Sequence, residues 1–156
     1  MLCDAGVLRE PLLYMSLFFK EYRERYYELL DLVRHHGDWE AWLSFFLQGM
    51  AQTADAAVDT AHRLLARFDG DRSKIEEQAQ IVGSVLRCHE VLKKEPISSQ
   101  SRLAQASGLT VPTIARALEV LEQLGIAEEI TGKQRNRRYA YRAVLSILEE
   151  GTEALP

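Results

Sequence analysis

The sequence predicts a mainly α-helical fold: a helical hairpin, then two short helices at a tight turn, closed by a small two- to three-stranded β-hairpin. Three observations carry that expectation. Apolar residues recur at helical spacing from Leu12 to Leu92. Gly108 lies between two short amphipathic stretches, where a left-handed backbone can stop one helix and turn the chain into the next. Beyond Gly125, two β-prone runs flank Gly132-Lys133-Gln134-Arg135-Asn136, a run of turn residues and cations.

The first helix is expected over residues 11–34, opened by Pro11 and carrying an apolar band that covers more than one face between Leu12 and Phe19. Gly37 stops it and Asp38 caps a second long helix from Trp39, whose alanine-rich section (Ala51 to Ala61) suits close helix approach. The two read as an antiparallel hairpin. At Asp69-Gly70-Asp71 the chain either breaks or bends, and Ser73 with Glu76 offers a capping box for a third helix that ends at Lys93-Lys94 before Pro96.

A polar-started helix, about Gln100 to Ser107, then meets Gly108 and Leu109. Thr110 is the next N-cap, with Pro112 in the first turn where its missing N–H costs little. Ile114, Leu118, Leu121 and Leu124 mark the buried face of that helix, and a last short helix spans Ala143 to Glu150. Helix, tight turn, helix and hairpin together resemble a winged helix-turn-helix, with Ala104, Gly108 and Ile114 as the signature positions. The expected organisation is a helical region over 1–72, the winged helix over 73–150 and a tail over 151–156.

Composition is that of an ordinary globular chain, 156 residues with 47% hydrophobic and 27% charged side chains. The net charge of −4 is unevenly spread: residues 1–80 hold 9 basic and 14 acidic side chains, residues 81–156 hold 10 and 9. A nucleic-acid contact therefore belongs to the second half. Residues 132–142 carry Lys133, Arg135, Arg137, Arg138 and Arg142 with no acid, a local charge of +5. The helix before them turns Pro112, Thr113, Arg116, Glu119, Val120 and Gln123 outward, with one cation among them. Candidate DNA contacts are Thr110, Thr113 and Arg116 on this helix and Lys133, Arg135, Asn136, Arg137 and Arg138 in the wing. The same wing and helix face equally describe a protein-interaction module with a solvated basic turn.

No chemistry emerges elsewhere. Cys3 and Cys88 are two cysteines without a CxxC. His35-His36 are adjacent and point apart, His62 beside Asp59 reads as a solvated helix face, Cys88-His89 lack a third orienting group, and Glu128-Glu129 lie on opposite faces of a strand. No catalytic residue, cofactor or metal is expected. No leader or membrane-spanning run is evident, so a cytoplasmic location is expected.

The stretches Glu10-Pro-Leu-Leu-Tyr-Met-Ser-Leu-Phe-Phe-Lys20, Tyr26-Tyr-Glu-Leu-Leu30 and Gly37-Asp-Trp-Glu-Ala-Trp-Leu-Ser-Phe-Phe-Leu47 resemble the C-terminal helices of Fic-family proteins, many of which carry a winged helix after the Fic core. That family's nucleotidyl transfer uses a His-Pro-Phe-x-x-Gly-Asn-Gly-Arg loop, and none of His35, His36, His62 or His89 precedes a proline. The resemblance thus implies the tail of such a protein without its catalytic head: a non-catalytic DNA-binding or regulatory module, or else a subunit that docks on a separate Fic core. The aromatic band facing the absent core leads to an expected homodimer interface at Leu13, Leu17, Phe18, Trp42, Phe45 and Phe46.

Overall fold

The computed structural model describes residues 15–79, 81–133 and 135–150. They fall into two compact units, one ending at Ala61 and one spanning His62–Glu150.

The first unit holds α1 (Met15–Glu21), α2 (Arg23–His36) and the first part of α3 (Trp39–Gln78). The single helix expected over 11–34 is divided at Tyr22, whose backbone (φ −101°, ψ 36°) leaves helical geometry. Residues 21–25 are exposed throughout, so little core packing holds them to a regular helix. The break is a kink and not a loop, because Tyr22 N–H still reaches Phe18 C=O and Tyr26 N–H reaches Tyr22 C=O. Residues 11–14, including Pro11, lie outside the described residues. Gly37 ends α2 in the left-handed conformation and the Asp38 carboxylate accepts from Ala41 N–H at 3.1 Å, as expected for the hairpin turn. Phe18, Leu29 and Phe45 form the small core, with Trp42 and Tyr26 packed against it. The helices approach closely at Gly49, where a Cβ would lie 2.5 Å from the Phe18 ring. The alanine section expected to allow that approach is largely exposed.

The second unit contains the end of α3, then α4 (Val82–Lys94), β1 (Ile97–Ser99), α5 (Gln100–Ser107), α6 (Val111–Gln123), β2 (Glu128–Glu129), β3 (Arg138–Ala140) and α7 (Arg142–Glu149). The sheet order is β1-β3-β2, antiparallel throughout, with Ile97 opposite Ala140 and Glu129 opposite Tyr139. Pro96 therefore ends α4 and also introduces a strand: its C=O accepts from Tyr141 N–H at 2.8 Å. Ile75, Leu92, Leu103, Ile114, Leu118 and Leu121 are the main aliphatic side chains of the core.

The alternatives at Gly70 are resolved against a break. α3 runs through Gly70 and Ser73 to Gln78, so no capping box forms at Ser73, and the next helix begins at Val82. Because Leu64, Phe68 and Ile75 pack in the C-terminal core, the compact unit begins earlier along α3 than residue 73.

The reason is Asp71, buried at 1% exposure. Its carboxylate accepts from Arg67 Nε at 2.7 Å one turn back and from the Tyr141 hydroxyl at 2.5 Å, with Lys74 Nζ at 3.6 Å. A buried carboxylate so paired no longer competes for backbone N–H groups, which is what makes aspartate a poor helix residue. Since a carboxylate only accepts, the Tyr141 proton points to Asp71, and His89 Nε2–H donates to the Tyr141 oxygen at 3.2 Å. His89 Nδ1 is then a bare lone pair, buried and without a partner. Protonating it would leave a buried N–H unsatisfied, and burial, then Lys93, hold the imidazole below its ordinary value of 6.5. Burial and the Asp71 hydrogen bond push the Tyr141 phenol up.

Tyr141→Phe removes one of the partners of Asp71 and leaves His89 Nε2 without its own, so unfolding by denaturant should show a loss of about 1–3 kcal/mol; an unchanged midpoint would mean water replaces it freely. His89 adds a pH signature. Its folded pKa is depressed, so its contribution is complete above 6.5 and is lost as pH falls through the folded value. Melting curves between neutral and mildly acid pH should show this destabilisation, and His89→Gln should flatten that part of the profile.

Candidate nucleic-acid interface

Each part of the helix pair is set by a local signal. Ser99 caps α5, its hydroxyl accepting from Arg102 N–H at 3.3 Å. Gly108 takes the left-handed conformation (φ 68°), its N–H returning to Ala104 C=O. Leu109 N–H reaches the same carbonyl at 3.2 Å, which fixes the turn. Thr110 then caps α6, accepting from Thr113 N–H at 3.4 Å, and the two threonine hydroxyls meet at 2.8 Å. Ile114, Ala117, Leu118 and Leu121 are buried, so Pro112, Arg116, Glu119 and Gln123 face solvent, with Thr113 and Val120 half-buried. The expected outer face is therefore present. Val111, one turn before Ile114 on the core row, is nonetheless 46% exposed at the leading end of α6. Its place two turns before Leu118 on that row is visible in the sequence, but its exposure depends on what packs beside it.

The wing follows directly, and Glu129 N–H donates to the Glu122 carboxylate of α6 at 3.1 Å. Glu129 organises the turn: its carboxylate accepts from the Thr131 hydroxyl, from Thr131 N–H at 2.8 Å and from Gly132 N–H at 2.9 Å. These bonds, the Thr131 hydroxyl first, hold its pKa below the usual carboxylate value. Gly132 (φ 62°) and Asn136 (φ 55°) supply the two left-handed positions, the second a conformation asparagine tolerates better than most residues. Arg137 Nε donates to Lys133 C=O at 2.9 Å across the turn, and Ile130 N–H to Arg138 C=O at 3.0 Å closes its base.

Lys133, Arg135, Arg137 and Arg138 are all exposed, and among the described residues none forms a salt bridge. Arg142 differs. It pairs with Glu128 at 3.0 Å, so the +5 of the sequence reduces to four cations available to a ligand. Thr110, Thr113, Arg116 and these wing residues thus lie in one unit, with Thr110 and Thr113 already engaged in capping.

Burial pushes the Cys88 thiol up to about 12, so it is not a nucleophile. Among the described residues no group of three or more His, Cys, Asp or Glu is placed to hold a metal. No helix among them is long and apolar enough to cross a membrane. Of the side chains expected at a dimer interface, Phe18 and Phe45 are buried within their own unit, Trp42 and Phe46 are half-buried, Leu17 is exposed, and Leu13 lies outside the described residues. A different row is exposed on α3: Trp39, Leu43 and Leu47 at i, i+4, i+8.

Residues 89–128 match the family model described as winged helix-turn-helix DNA-binding. The match begins at His89 in α4, runs through α5, the Gly108 turn and α6, and ends at the first residue of β2. It covers the helices that would enter and brace a groove, while the basic wing follows it.

Thr110→Ala removes the cap on α6 and should cost about 1 kcal/mol. Thermal unfolding measures it, and Thr110→Ser should recover most of the loss.

Proposed function

We propose that this chain is a non-catalytic regulatory module that holds duplex DNA through its wing and the leading half of α6. The observation that carries this reading is the wing itself: four exposed cations that form no salt bridge among the described residues, on a turn braced by Glu129, beside a helix whose outer face is exposed. The match of residues 89–128 supports it. Affinity would come from phosphate contacts by the wing, which are independent of base sequence, while Arg116 is the one cation of α6 that reaches outward. The acidic first half keeps DNA to this surface. Replacing Arg135, Arg137 and Arg138 together with alanine should weaken binding and reduce the slope of log affinity against log salt by roughly 0.9 for each phosphate no longer neutralised. An unchanged slope would place the binding surface elsewhere.

A second reading concerns assembly. Trp39, Leu43 and Leu47 are 60%, 52% and 61% exposed along one face of α3, a row of large apolar groups that water covers poorly. We take a second copy of the chain as the partner, giving a twofold dimer that presents two winged helices to a palindromic site. A separate Fic core, suggested by the resemblance of residues 10–47, is the rival occupant. Sedimentation over a concentration series should give a dimer, and Leu43→Glu with Leu47→Glu should give a monomer of unchanged helicity. A parent that stays monomeric throughout would end the dimer reading.

A further inference from the structure

We propose that α6 reads a 5-methylpyrimidine–guanine step in the major groove, with Val111 and Ala115 against the methyl group and Arg116 on the guanine. This rests on the DNA-binding reading above and names what that surface recognises. The leading end of α6 is short of free polar groups. The Thr110 and Thr113 hydroxyls are engaged with each other at 2.8 Å, and Thr110 also caps the helix. Pro112 has no N–H to offer. What remains outward is the isopropyl group of Val111, the ring of Pro112, the half-buried methyl of Ala115 and the guanidinium of Arg116.

Val111 and Ala115 are neighbours at i, i+4, and Arg116 lies beside Ala115 on the row of Pro112. An apolar patch next to one guanidinium matches a specific pattern on the groove floor. Thymine presents its 5-methyl group there, and guanine presents the O6 and N7 acceptors that arginine contacts in a bidentate manner. The planar guanidinium also tolerates an apolar face at its side, which an ammonium does not. Glu119, one turn further on, is exposed and has no hydrogen bond or ion pair among the described residues. Phosphates would repel it, so it favours a pose with the helix directed at base edges, where a carboxylate accepts from the cytosine amino group.

The methyl has two natural sources, thymine and 5-methylcytosine, and the experiment separates them. Duplexes are selected from a random pool on the full chain, and the preferred site is resynthesised with uracil for thymine, or with cytosine and 5-methylcytosine at that position. The enriched site should contain the methylpyrimidine–guanine step. Removing the methyl should cost about four-fold in affinity, the worth of one buried carbon. Val111→Ala should shrink that methyl discrimination while leaving affinity for the uracil duplex unchanged, and Arg116→Ala should lose guanine preference by on the order of ten-fold. A pool that binds without enrichment, or equal affinity for thymine and uracil sites, overturns the inference and leaves the DNA reading standing. Retention of no duplex at all overturns both.

Discussion

The buried carboxylate of Asp71 is the constraint on which the C-terminal unit depends. An isolated charge at 1% exposure would be costly by several kcal/mol, and here it is met by Arg67, Lys74 and the Tyr141 hydroxyl. Those partners come from α3 itself and from the junction between β3 and α7. Through Tyr141 the same network touches His89 of α4. Three segments distant in sequence are thereby tied at one point. Tyr141 also donates its backbone N–H to Pro96, where β1 begins, so the side chain that satisfies Asp71 sits on the backbone that aligns the sheet. The wing emerges from that sheet.

What is legible in the sequence is what local chemistry decides. The Gly108 turn, the Thr110 cap, Pro112 in the first turn and the Ile114-Leu118-Leu121 stripe each depend on neighbours within about a turn of helix. The features that differ from expectation depend on distant partners. Asp69-Gly70-Asp71 looks like a breaker until Tyr141 is known to hold Asp71. β1 is three residues long and gains its identity only from pairing with β3. The wing cations can be counted in sequence, yet the pairing of Arg142 with Glu128 cannot, because strand register brings them together. The exposure of Val111 likewise depends on packing: periodicity places it near the core row, and the packing of α6 leaves it outside.

The two halves of the candidate interface do different physical work. The wing concentrates charge on a turn whose backbone is held by Glu129, so its cations meet a ligand with the turn already formed. α6 contributes little charge and a small, partly apolar face. Charge gives affinity that salt can screen, while shape and hydrogen-bond pattern give preference among sites. On the proposed reading, such a division suits a chain whose overall charge is −4, because the wing concentrates positive charge locally.

Hydrogen exchange across residues 62–150 tests the central claim most directly. If Asp71 and Tyr141 fasten the end of α3 into the winged helix, amides of residues 67–78 should open with the same free energy as those of α6 and β3, in one cooperative unit. Rapid exchange of residues 67–78, independent of a protected α6, would show that the end of α3 is an appendage and that the buried carboxylate organises nothing beyond its own turn.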